Sequence, residues 1–209
     1  MNLVCFSNNT AGGLVCDLLN NSTSEFDGYK TTGSAHNAFK ISDTPTVQWS
    51  VDVEQWEKLV ERFKNSDSWM GTHLHPSGIP DIKVFDKVLA ITTETRESKL
   101  YRWLRYYHGW WCKNNPQWQE SDDLSAKDQI RELAKNVFVE FTAYPGCWNV
   151  EFSDIVNGRF IKENSLNQHY FYNWKSSNSF LNYTSDSWAY LRFYEAEWEL
   201  INGSPYHYT

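Results

Sequence analysis

The chain has 209 residues, 41% of them hydrophobic and 22% charged, which suits one globular domain over 1–209 and excludes a disordered chain. Its formal net charge of -7 argues against a nucleic-acid-coating protein, which would carry a basic footprint. No apolar stretch approaches the about 20 residues of a membrane span, and "MNLVCFSNN" lacks the basic start and long apolar run of a signal peptide, so a cytoplasmic chain is expected.

Residues 2–6, "NLVCF", are an apolar run that predicts a buried strand. Ser7, Asn8, Asn9, Thr10, Ala11, Gly12 and Gly13 follow, and then "LVCDLL" predicts a helix. A strand passing through a glycine-bearing turn into a helix is the architecture of a phosphate cradle. Backbone N–H groups at a helix start bind an anion even without a Lys. This turn holds no Lys and no Arg; Asn8, Asn9 and Thr10 add neutral donors. The same pattern also describes a tight turn in which Gly permits close packing, and both readings stay open.

Residues 20–45 are polar and predict a long loop, and "TVQWS" (46–50) a second strand. "DVEQWEKLVERFK" opens on a capping pattern, Asp52 with Gln55. Trp56, Leu59, Val60 and Phe63 then recur at helical spacing. "SWMGTHLH" (68–75) predicts a strand stopped by Pro76, and "DKVLAITT" (86–93) another. On the first of these, His73 and His75 would share one face, a spacing that metals use. Only Asp81 could add a nearby ligand, so no metal is expected.

The next segment is "TRESKLYRWLRYYHGWW". Leu100, Trp103, Leu104 and Tyr107 form an apolar stripe; Arg96, Lys99, Arg102 and Arg105 form a basic one, read as a solvated helix face. Arg96 differs, because a helix start there would meet the strand edge and make it an anion ligand. Residues 125–141 and 185–201 predict further helices, and "WNVEFSDI" (148–155) a late strand. Cys5, Cys16, Cys112 and Cys147 form no C-x-x-C pair. Aromatic residues reach 17%, which fits a core of large rings or a pocket that stacks sugars or bases.

Apolar strands alternating with helices indicate a mostly parallel sheet covered on both faces, a three-layer α/β/α domain. Ligands of such sheets sit at the carboxyl ends of the strands. The loops after residues 6, 73 and 93 would open there.

The order of these pieces resembles the P-loop sulfotransferases. That resemblance rests on "THL" (72–74), "IP" (79–80) and "KVLAI" (87–91), on residues 2–19 as the donor-phosphate loop, and on "VEFSDI" (150–155) as a later strand. It touches about half the chain. It implies 3′-phosphoadenosine 5′-phosphosulfate as cofactor and a small-molecule or carbohydrate hydroxyl acceptor. It makes His73 the general base, with Ser7, Asn8, Asn9, Thr10, Ala11, Gly12, Gly13 and Arg96 as the donor site. A His suits that role because its ordinary pKa is near 6.5.

The chain also departs from the family. The phosphate-loop cation is missing, and the family's second Lys is Gly71. The Arg and Ser for the donor's 3′-phosphate fall at about Thr93 and Tyr101, and the late Arg-Lys-Gly motif has no counterpart. A catalytically silent relative that binds an anionic or carbohydrate ligand is therefore the alternative. A metal-dependent hydrolase around His73 and His75 is a weaker one. A nucleotide kinase is disfavoured by the lack of G-x-x-x-x-G-K-[ST], and a serine hydrolase by the lack of G-x-S-x-G.

Overall fold

The computed structural model describes residues 1–20, 69–105 and 141–181, with a few positions between 57 and 67. The side chains of Arg96, Trp103 and Phe180 are outside that description. So are the expected loop beyond Asn20, the strand at 46–50, most of the helix at 52–64, the helices at 125–140 and 185–201, and Cys112.

Strand β1 is Asn2–Phe6 and runs into helix α1, Gly12–Asn20. Strands β2, Trp69–Thr72, and β3, Lys87–Thr92, flank β1 on its two sides. Helix α2, Arg96–Leu104, follows β3, and β4 is Trp148–Glu151. Three further helices close the described chain: α3, Phe152–Val156; α4, Arg159–Glu163; and α5, Gln168–Ser177. The strand order is β2-β1-β3-β4 and every pairing is parallel. This is an α/β fold with β1 interior to the sheet.

A strand alternates its side chains between faces, and β1 buries both sets. Val4 and Phe6 join a core with Leu14, Val15 and Leu18 of α1, Tyr101 and Leu104 of α2, and Phe160 and Phe171. Leu3 and Cys5 join a second core with Met70, Leu74, Phe85, Val88 and Phe141, against which Val60 packs. Apolar layers on both faces explain why the strands are apolar runs. They are compatible with a three-layer arrangement. Each fully buried Leu, Ile or Phe contributes about 1.5–3 kcal/mol.

Two expected strands are shorter in the structure. β2 ends at Thr72, not at 75, because the Thr72 hydroxyl accepts the Leu74 N–H at 3.2 Å and turns the chain. His75 then caps a 3-10 turn, Pro76–Gly78. β4 ends at Glu151, not at 155, because Ser153 donates its N–H to the Ser98 hydroxyl at 2.8 Å instead of extending the strand. From Phe152 the chain is helical.

Because all strands are parallel, Phe6, Thr72, Thr92 and Glu151 end on one edge of the sheet. α1 and α2 pack on the same core face. A long side chain of α2 can therefore reach the turn that begins α1.

Candidate functional site

The turn from β1 into α1 is tightly built. The Thr10 hydroxyl donates to the Ser7 carbonyl at 2.7 Å. Asn9 (φ 66°) and Ala11 (φ 59°) adopt left-handed backbone. Asn tolerates that region, whereas for Ala it costs about 1–2 kcal/mol. Ser7, Thr10, Ala11 and Gly12 are buried. A Cβ on Gly12 would lie 2.0 Å from Cγ of Phe6, so only Gly lets the Phe6 ring cover the first residue of α1. The glycine thus serves close packing, and the turn it allows brings backbone N–H groups to a helix start. The Ser7 hydroxyl is buried, with the residue 2% exposed, and has no hydrogen-bond partner among the described residues. A buried polar atom left in that state fits a turn built to receive a polar group.

His73 stands at the same edge. Its Nδ1 is 3.2 Å from the Phe6 carbonyl, and its ring meets the Phe6 ring edge-on with centroids 4.4 Å apart. A carbonyl can only accept, so Nδ1 carries a proton directed at Phe6. The expected general base is therefore held against the last residue of β1, beside the turn. His75 is used differently. Nε2 faces the Thr142 carbonyl at 3.1 Å, while Nδ1 accepts the Ser77 N–H at 3.2 Å and sits 2.7 Å from the Ser77 hydroxyl. Both nitrogens are engaged in holding the chain. Among the described residues no group of His, Cys, Asp or Glu is placed to hold a metal ion.

The turn's cation comes from elsewhere in the chain. Arg102, from the basic stripe of α2, donates Nε to the Asn8 carbonyl at 3.0 Å and is only 4% exposed. Its guanidinium stays protonated under all ordinary conditions. A fixed positive charge is thus brought against residues 7–13. The expectation of a wholly solvated basic face is corrected at this position. Among the described side chains of α2, Ser98, Tyr101, Arg102 and Leu104 are buried, with Leu100 only partly buried against the core. The Tyr101 phenol is pushed up to about 12 by burial and by Glu97.

Arg96 opens α2, as expected from its position near the strand edge, but that helix start is already bonded to a carboxylate. Glu151, the last residue of β4, accepts from the hydroxyls of Thr92 (2.8 Å), Thr95 (3.0 Å) and Ser98 (2.5 Å). It also accepts the N–H groups of Glu94 (3.2 Å) and Thr95 (3.5 Å). Burial pushes the Glu151 carboxyl up, but the bonds from Ser98, Thr92, Glu94 and Thr95 outweigh it and hold the pKa below its ordinary value. Two more carboxylates stand nearby: Glu94 accepts the Ala143 N–H at 2.9 Å, and Glu97 accepts from Asn157 at 2.9 Å.

The described cysteines are poor nucleophiles. Cys5 and Cys16 are buried, and burial raises the thiol pKa of both, and of Cys147. Asp17 of α1 is buried too; burial raises its pKa, against a bond from the Tyr170 hydroxyl at 3.2 Å. Among the described residues no helix is long and apolar enough to cross a membrane.

Sequence reasoning missed Arg102 and Glu151. Arg102 lies four residues after Ser98, on the helix face that Ser98 and Tyr101 turn inward. Glu151 follows an apolar strand residue and pairs in register with Thr92, beside a turn rich in hydroxyls, "TTETRES". Comparison of the chain with protein-family models, with curated proteins and with solved structures gives no match.

Proposed function

We propose that this chain is a divergent P-loop sulfotransferase-like protein. In this reading the turn at 7–13 holds the anionic end of a donor, and His73 is the base toward a hydroxyl acceptor. The observation that carries it is the joint placement of His73 and Arg102 on the β1–α1 turn: one is 3.2 Å from the Phe6 carbonyl, the other 3.0 Å from that of Asn8. A transferred group that gathers negative charge needs donors and a cation, and the attacking hydroxyl needs a base. The turn offers backbone N–H groups, the Ser7 hydroxyl and the Arg102 charge. His73, with Nδ1–H turned to Phe6, is the group beside the turn that would take the hydroxyl proton.

The family's donor, 3′-phosphoadenosine 5′-phosphosulfate, would supply a sulfuryl group on its 5′ side. The turn fits that end, through the buried Ser7 hydroxyl and Arg102. It does not fit the 3′-phosphate equally well, because Glu151 takes the N–H and hydroxyl donors of the neighbouring helix start. That mismatch favours a second reading, in which an anionic or carbohydrate ligand is bound without turnover.

The deciding experiment pairs wild type with His73→Ala. Both are assayed for sulfuryl transfer to a panel of small hydroxyl and sugar acceptors, and for donor binding by calorimetry. The base acts only in the transition state, so transfer should fall by about 10²–10⁴-fold while binding changes little. Donor binding without any wild-type transfer selects the second reading. A His73→Ala protein with full transfer refutes the role of His73.

A further inference from the structure

We infer that Asn157–Gly158 is a self-modifying site: an Asn-Gly pair primed to lose its side-chain amide as ammonia, and held closed by the bonds of Asn157 to α2. The sequence carries two Asn-Gly pairs, 157–158 and 202–203, and the second lies outside the described residues. In the reaction the Gly158 nitrogen attacks Cγ of Asn157, the Cγ–Nδ2 bond breaks, and ammonia leaves. Water then opens the cyclic imide to aspartate or isoaspartate. No oxidant, metal or further reactant enters. Gly makes the step easy, because it has no Cβ to shield its nitrogen and leaves the backbone free to turn.

The fold holds this pair in an unreactive geometry. Asn157 caps the end of α3 with φ -80° and ψ -2°. At ψ near zero the Gly158 nitrogen eclipses the Asn157 backbone nitrogen, whereas attack needs it on the Cβ side. That nitrogen is also committed, donating to the Ile155 carbonyl at 3.0 Å. The amide that must leave is tied to α2. Nδ2 donates to Glu97 Oε1 at 2.9 Å, and Oδ1 accepts from the Tyr101 hydroxyl at 3.2 Å. Cyclisation has to break these bonds and turn ψ, so it waits on an opening of the junction between α2 and α3. Asn157 itself is exposed, so solvent reaches the pair as soon as the junction opens.

The same contacts account for a labile pair at this place. Gly158 sits at φ 73°, where other residues are strained, and a Cβ there would lie 3.0 Å from Cε1 of Phe171. Asn157 offers an acceptor to Tyr101 and a donor to Glu97 from one short side chain, which a carboxylate cannot do. Modification therefore damages the junction that delays it. The new carboxylate loses the bond to Glu97 and meets its like charge instead. Isoaspartate also routes the main chain through Cβ, which displaces Gly158 from beside Phe171.

The test incubates the whole wild-type chain in mildly alkaline buffer, native and in concentrated urea. Conversion at Asn157 is followed by mass-spectrometric peptide mapping, which separates it from Asn202. It should be at least about tenfold slower in the native protein, since only the open fraction reacts. Glu97→Ala and Tyr101→Phe each remove one bond from the amide. Each should raise the native rate about two- to tenfold and leave the rate in urea unchanged. Gly12→Ala is the control: it strains the other end of the core and should leave the native rate near that of wild type. Equal native and urea rates, or no conversion in urea, would overturn the inference. So would native rates in both junction variants equal to wild type, or a Gly12→Ala rate raised as much as theirs, which would mean that conversion waits on global unfolding.

Discussion

Replacing Glu151 by Gln changes a charge and little volume, so it isolates the electrostatics of the junction between β3, α2 and β4. In the wild type both carboxylate oxygens face donors: Thr92 and the Glu94 N–H on one, Thr95 and Ser98 on the other. An amide has one accepting oxygen and one donating nitrogen. Whichever way the introduced amide turned, its NH₂ would point at donors. The Thr95 and Ser98 hydroxyls each already accept a backbone N–H, so accepting from the amide as well would fill their second lone pair and leave their own O–H without the carboxylate it now bonds. A bond to a charged group contributes about 1.5–3 kcal/mol. Glu151 is only half-buried, so the lower end is expected. For a chain of this size that lowers the melting temperature by about 3–6 °C. The pH dependence fixes the sign. The folded pKa of Glu151 lies below its ordinary 4.5, so its contribution is fully present above that value. It is lost as the pH falls through the depressed folded value. Thermal unfolding of wild type and Glu151→Gln from pH 7 downward should show two curves that converge in acid. Equal melting temperatures at pH 7, or a gap that persists undiminished at about pH 2, would refute the reasoning.

Three further outcomes are expected. Gly12→Ala drives a methyl into the Phe6 ring at 2.0 Å and should cost about 1–3 kcal/mol in urea unfolding; a neutral change would mean that Phe6 does not cover the helix start. Gly158→Ala places a Cβ 3.0 Å from the Phe171 ring at φ 73°, so about 1–2 kcal/mol of destabilisation should appear in the same assay, and none if Phe171 packs elsewhere. Thiol titration of native protein should find Cys5 and Cys16 far slower than Cys147, because both are buried with raised pKa values; equal rates would contradict their burial.

The parts of the fold legible in the sequence are those where one physical signal dominates. "NLVCF" and "KVLAI" are apolar on both faces because both faces are covered, and they appear as β1 and β3 close to their expected limits. The ends of β2 and β4 were less legible, since Thr72 and Ser98 end those strands through side-chain bonds that no run of residue types announces. α5 escaped because its apolar contacts are few, Phe171 buried with Tyr170 and Trp174 partly buried against the core, and the rest of "QHYFYNWKSS" is polar or exposed. What holds it is the Asn167 cap and packing beside Gly158. The same limit applies at the site. His73 was singled out because the resemblance places the general base there, in "THL" (72–74). Arg102 was hidden in a basic stripe whose members look alike until the packing of α2 turns one of them inward. Glu151 was hidden because an acid at a strand end has no meaning until its partners, Thr92, Thr95 and Ser98, are known.

The central claim is that residues 7–13 form an anion site served by Arg102 and flanked by His73. Its most direct test is a two-dimensional amide NMR titration of the labelled protein with adenosine 5′-phosphate. The account predicts that the largest shifts fall on the N–H groups of residues 8–14, with a change at the His73 ring and little at residues 94–98. Saturable shifts centred on residues 94–98, or a turn at 7–13 that does not respond, would contradict it.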